Sequence, residues 1–141
     1  MKVKKMTKKS YTTPPPVIPN FKLPISIKNK WVESLRNGTF TQGTGALFDY
    51  LEDDYCCLGV LCRIFLPEEF ESHNMLGYGN LTSFLEDNIE GKKELDKNLT
   101  SFMYNLENMK NFELLEEILV NLNDIEEYSF DQIADYIEKN Y

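Results

Sequence analysis

The run Cys56-Cys-Leu-Gly-Val-Leu-Cys-Arg-Ile-Phe-Leu66 is the most apolar stretch of the chain, and it limits the fold more than any other feature. Leu58, Leu61, Cys62 and Phe65 fall at i, i+3, i+4 and i+7, and Pro67 supplies a stop, so the spacing predicts a helix. Arg63 is its only charge. A helix apolar nearly all round belongs at the centre of a core. Gly59 inside it costs about 1 kcal/mol relative to Ala, which predicts that another element crosses closely there.

Around this centre the pattern is mostly helical. A first helix is expected from Ser26, as its cap, to Asn37-Gly38, with Ile27, Trp31 and Leu35 as its apolar stripe and Gly38 as the left-handed residue that ends it. Thr39–Phe48 is rich in Thr, Gly and aromatics. With Tyr50, Leu51, the acidic turn Glu52-Asp53-Asp54 and Tyr55-Cys56 it reads as two short strands or a hairpin. Residues 68–92 read as irregular around a short helix at Ser83–Asn88. Two amphipathic helices follow, striped by Leu95, Leu99, Phe102, Met103 and Leu106 and by Phe112, Leu115, Ile118, Leu119 and Leu122, joined near 108–111. Asn123-Asp124 breaks the pattern. A last helix starts at Ser129, where Gln132 completes a capping box, and buries Phe130, Ile133, Ala134 and Ile137. The expected fold is α+β: a mostly helical single domain with a small antiparallel hairpin and one buried central helix.

The chain has 141 residues, a single-domain length, and its charge is divided unevenly. Residues 1–32 carry eight lysines and no acid, whereas residues 33–141 carry 7 basic and 23 acidic side chains, a net −16. Five of the six prolines lie in the first 24 residues, so 1–24 reads as a basic, Pro-rich arm outside a globular domain at 25–141. An acidic body repels polyanions, which leaves nucleic acid only the Lys-rich arm as a contact. No apolar run reaches the ~20 residues that span a bilayer, and no apolar stretch follows the basic start as a secretory signal requires. Three cysteines, two of them adjacent, make no disulfide framework and point to a reducing cytosol.

Candidate chemistry is sparse. Cys56, Cys57 and Cys62 lack a second ligand pair for zinc, having only His73 beyond them, and acidic or apolar surroundings would raise a thiol pKa. On a helix Cys57 and Cys62 lie about 140° apart, which suits core packing. Asp49, Glu52, Asp53 and Asp54 lack the spacing of an EF-hand and read as a solvated hairpin tip. Asp124 reads as a turn-former or cap. Gln42-Gly-Thr-Gly45 lacks the Lys-Ser/Thr of a P-loop and reads as a bent strand whose amides approach a partner closely.

Trp31-Val-Glu-Ser-Leu-Arg-Asn-Gly38, Gln42, Gly45 and Tyr55-Cys-Cys-Leu-Gly-Val-Leu-Cys62, then Leu122-Asn-Asp124 and Ser129-Phe-Asp-Gln-Ile-Ala-Asp-Tyr-Ile137, resemble a family of small proteins encoded by tailed bacteriophages and prophages. The resemblance implies a phage accessory protein of the counter-defence kind, acting in the host cell cytoplasm. The leading expectation is a non-catalytic binding protein that sequesters a small nucleotide-like immune signal or plugs a host defence protein. It needs no cofactor or metal and has no membrane role, and self-association is a further kind of partnership for it. A ligand cleft would lie between Trp31, Arg36, Gln42 and Tyr55 on one side and Asn123 and Asp124 on the other, with Arg36 pairing an anionic group. Two alternatives are an acidic, nucleic-acid-mimicking decoy of a host nuclease and a small hydrolase using Asp124 or a cysteine.

Overall fold

The structure, a computed structural model, describes residues 14–68, 78–88 and 97–141. Helix α1 spans Ile25–Arg36 and buries Ile27, Trp31, Val32 and Leu35. Its cap position is held by Pro24 and not by Ser26, which lies inside the helix: the Pro24 carbonyl accepts from the Lys28 amide at 2.9 Å, and its ring fixes the extended entry. Gly38 ends the helix at φ 77°, the left-handed conformation expected of it.

A two-residue hairpin follows. β1 (Phe48–Asp49) pairs antiparallel with β2 (Asp54–Tyr55), Phe48 opposite Tyr55. Most of Thr39–Leu47 is irregular and not strand, touching the sheet through one parallel bridge from Gln42 to Tyr55. Helix α2 (Cys57–Phe65) then fills the centre, with Cys57 to Cys62 and Phe65 all buried. The close crossing expected at Gly59 is real: a Cβ there would be driven into the backbone carbonyl of Leu47.

Helix α3 (Leu81–Asn88) begins two residues before the expected Ser83. Helix α4 (Lys97–Met103) ends earlier than the stripe suggested, because the Asn105 side chain accepts from the Asn108 amide and starts a new helix, α5 (Leu106–Val120). The junction therefore sits at 104–105 and not at 108–111, and Leu106, expected in the apolar stripe, is exposed. Asn123-Asp124 does not break the helix but widens it into a π-helix, Asn121–Ile125, closed by the Glu126 amide on the Asn121 carbonyl at 2.9 Å. The last helix, α6 (Phe130–Asn140), opens on the expected capping box of Ser129 and Gln132. Leu95, His73, Gly77 and Gly91 lie outside the described residues.

α1 packs most extensively on α6, and α2 sits between α1 and α5. Part of the segment assigned to the arm, residues 1–24, belongs to the domain, since Ile18, Phe21 and Leu23 are buried in the core. The Ile18 amide donates to the Tyr141 hydroxyl, the Leu23 amide to the Tyr141 carbonyl, and the Tyr136 hydroxyl to the Pro16 carbonyl. Apolar side chains at 18, 21 and 23 outweigh the arm's basic composition once a tyrosine pair at the end of α6 satisfies its backbone. Residues 1–13 lie outside the described residues. The architecture is α+β, mostly helical with one small antiparallel hairpin.

Candidate functional site

Gln42 leaves the irregular segment before β1 with a buried side chain that meets the π-helix. Its Nε2 donates to Asn123 Oδ1 at 2.9 Å and to the Tyr128 carbonyl at 2.8 Å, and its Oε1 accepts from the Phe130 amide at 3.0 Å. Asn123, fully buried, donates from Nδ2 to the Gly43 carbonyl at 2.8 Å and to Asp124 Oδ1 at 2.7 Å. Asp124 Oδ2 accepts from the Gly45 amide at 3.1 Å. Each amide N–H of Gln42 and Asn123 thus has an acceptor, and two orphan groups of the chain entering α6 are satisfied by a side chain from the other half of the molecule. The wider π turn is what turns Asn123 and Asp124 toward the glycine segment.

Gly43 and Gly45 suit this closeness for different reasons. A Cβ on Gly43 would collide with the Asp54 carboxylate, and Gly45 sits at φ 90°. Asp54, expected at a solvated tip, is buried at 1% exposure because β2 turns it in against Gly43. Asp49, Glu52 and Asp53 remain at the surface end of the hairpin.

The six candidate ligand residues do not form one cleft. Gln42, Asn123 and Asp124 are together; Tyr55 adjoins them through its backbone, donating to the Thr41 carbonyl and accepting from the Gly43 amide. Trp31 is fully buried, its Nε1 donating to the Cys57 carbonyl at 3.0 Å and its ring 6.4 Å from that of Phe112. Arg36 is held by Asp135 at 2.6 Å and Glu138 at 2.9 Å on α6. It borders an open groove of about 370 Å³ with Asn29, Val32, Glu33, Asn37 and Glu138. Two carboxylates already neutralise the guanidinium, so an anion has little to gain there.

The three thiols are reduced and buried. Burial pushes Cys56 up to about 12 and raises Cys57 and Cys62 well above the ordinary thiol range, with Asp124 adding to the effect at Cys56 and Cys57. None is a thiolate at neutral pH. Among the described residues no group of three or more His, Cys, Asp or Glu side chains gathers to hold a metal ion. No helix of the described residues is long and apolar enough to cross a membrane.

The sequence reading missed Glu116. It lies on the same face as Phe112, Leu115 and Leu119 of α5, fully buried, and its carboxylate accepts from the Leu81 and Thr82 amides and the Thr82 hydroxyl at the start of α3. Burial pushes its carboxyl up to about 7, against three donors that favour the charged form. An acid at i+4 from Phe112 and i−3 from Leu119, within an apolar stripe, is the signal that marks it.

Fold and site together define a small helical α+β domain in which the segment leading into the hairpin is locked to the last two helical segments by side-chain amides. The chain belongs to the family described as a domain of unknown function, DUF8296, whose model matches residues 23–141. No curated protein and no solved structure matched it.

Proposed function

We propose that the chain is a phage-encoded counter-defence protein that acts without catalysis in the host cell cytoplasm, by plugging a host defence protein. The observation that carries this reading is the saturation of Gln42 and Asn123 by internal bonds, which leaves the expected cleft between them without donors aimed at a nucleotide-like signal. Ligand-sequestering sites are concave and keep a few polar groups aimed at the ligand. Here the polar groups face one another. A hydrolase working through a cysteine lacks a thiolate, and Asp124 already accepts from Gly45 and Asn123.

The acidic decoy is the second reading, favoured by the net −16 of residues 33–141. The two differ in salt dependence: a decoy's grip on a nuclease weakens steeply as ionic strength rises, whereas a plug anchored by apolar contact changes less.

Expression of the chain in bacteria carrying a defence system, followed by plating of a phage which that system restricts, tests the reading. Restoration of plaques by the folded protein is expected for at least one system. Plating that stays restricted across a panel of defence systems overturns it.

A further inference from the structure

The hairpin ends in an unusual way for a turn. Leu51, at its tip, is 95% exposed, and Tyr50 beside it is 49% exposed. Turn tips are ordinarily polar, and these two apolar side chains stand in water on a support that is held stiffly. Asp49 Oδ1 accepts from the amides of Leu51 and Glu52 at 2.9 and 3.2 Å, and the Asp53 amide closes on the Asp49 carbonyl at 2.7 Å. Asp53 adopts φ 55°, a left-handed conformation that Asp tolerates better than most residues. Beneath the turn runs a chain of ring contacts, Tyr50 on Phe48 at 5.7 Å, Phe48 on Tyr55 at 4.7 Å and Tyr55 on Phe40 at 5.1 Å. The tip is therefore ordered before any partner arrives, which removes much of the entropy cost of binding.

Its electrostatics point to one kind of occupant. Asp49, Glu52 and Asp53 flank the two apolar residues, the segment from 37 to 62 holds no lysine or arginine, and Arg63 meets the hairpin at Tyr55, in the strand behind the turn. An acidic body and an acidic tip repel nucleic acid and a second copy of the same face alike. We propose that the hairpin tip, with Leu51 as anchor and Tyr50 beside it, is a docking wedge for a protein that offers an apolar socket rimmed by lysines or arginines. This rests on the binding-protein reading above and gives it a surface: Leu51 supplies apolar burial, and the flanking carboxylates select a basic rim.

The test is site-directed photo-crosslinking in the bacterial host, with p-benzoylphenylalanine placed at position 51 and, as a control at another exposed leucine, at position 106 of α5. Position 51 is expected to give one dominant adduct with a host protein, its crosslinked peptide lying among Lys or Arg residues, while position 106 does not give that adduct. Glu52→Lys with Asp53→Asn, which removes the net negative charge of the tip while keeping a residue that accepts the left-handed conformation, should cut the adduct yield at least tenfold at unchanged thermal unfolding temperature. No adduct at 51, the same adducts from 51 and 106, an adduct of two copies of this chain, or a yield indifferent to the charge change overturns the inference. The plating assay keeps the two claims apart: plaques restored equally by wild type and Leu51→Asp refute the wedge and leave the counter-defence reading standing, whereas a specific adduct without restored plaques does the reverse.

Discussion

Gln42 and Asn123, separated by 81 residues in sequence, join side-chain amides at 2.9 Å in the interior of the protein. Around that one bond the Gly43 and Tyr128 carbonyls and the Phe130 amide each find a side-chain partner. A buried polar network of this kind is stabilising only when complete, because each group left without a partner costs its full desolvation.

Gln42→Ala leaves the Tyr128 carbonyl, the Phe130 amide and Asn123 Oδ1 short of a partner, and about 3 kcal/mol of stability should be lost. Asn123→Ala should cost a similar amount. Urea denaturation of the two single variants and the double variant should show losses that fall short of additive by about 1–2 kcal/mol. Strict additivity would mean that the two amides act separately.

Gly59→Ala should destabilise by about 3 kcal/mol although alanine is the better helix former, because its methyl group meets the Leu47 carbonyl and neither backbone can give way cheaply. Chemical denaturation measures it directly; a stabilised variant would refute the close crossing of the Leu47 carbonyl over α2.

Glu116 makes stability fall as pH rises through neutrality. Its folded-state carboxyl titrates near 7 and its unfolded one near 4.5, so the folded chain holds the proton more tightly in that window. The contribution is full below pH 4.5, declines as pH climbs through 7, and amounts to about 3 kcal/mol across the window. Glu138 runs the other way, lowered by Arg36 and losing its contribution only as pH falls below the ordinary glutamate range. Denaturation midpoints between pH 5 and 8 should therefore slope downward for the wild type, and Glu116→Gln should remove that slope.

The three cysteines should resist a chromogenic disulfide reagent in the native protein and all react in denaturant. Rapid native labelling of any one of them would show that α2 opens far more readily than its burial implies.

Much of the fold is legible along the chain because local signals agree with the packing. The apolar stripe around Leu58 and Leu61, the Ser129–Gln132 capping box and the left-handed Gly38 each have a mechanism confined to a few residues. The errors lie where a distant partner decides. Nothing near Ile18 or Phe21 announces Tyr141, and nothing near Asp54 announces Gly43, so an arm that takes in Ile18 and Phe21 and a solvated tip that takes in Asp54 are the natural readings of residues that are in fact enclosed. Asn105 shows the opposite failure, a local cap outvoted in the reading by a longer apolar period through Leu106. For the candidate site, the sequence sets Gln42 across a cleft from Asn123 and Asp124, whereas Gln42 and Asn123 bond directly, because composition carries no information on whether such groups face a ligand or each other. Arg36 and Trp31 went to separate neighbours, one to the carboxylates of α6 and the other to the carbonyl of Cys57.

The pairing of α1 with α6 has a consequence for how the protein is made. During synthesis the stripe of Ile27, Trp31 and Leu35 leaves the ribosome long before Ile133 and Ile137 exist to cover it, so the nascent chain carries an oily helix with only α2 to lean on until the last helix of the domain is made. Emergence of α6, which carries the largest share of α1's packing, sets the moment at which this domain closes.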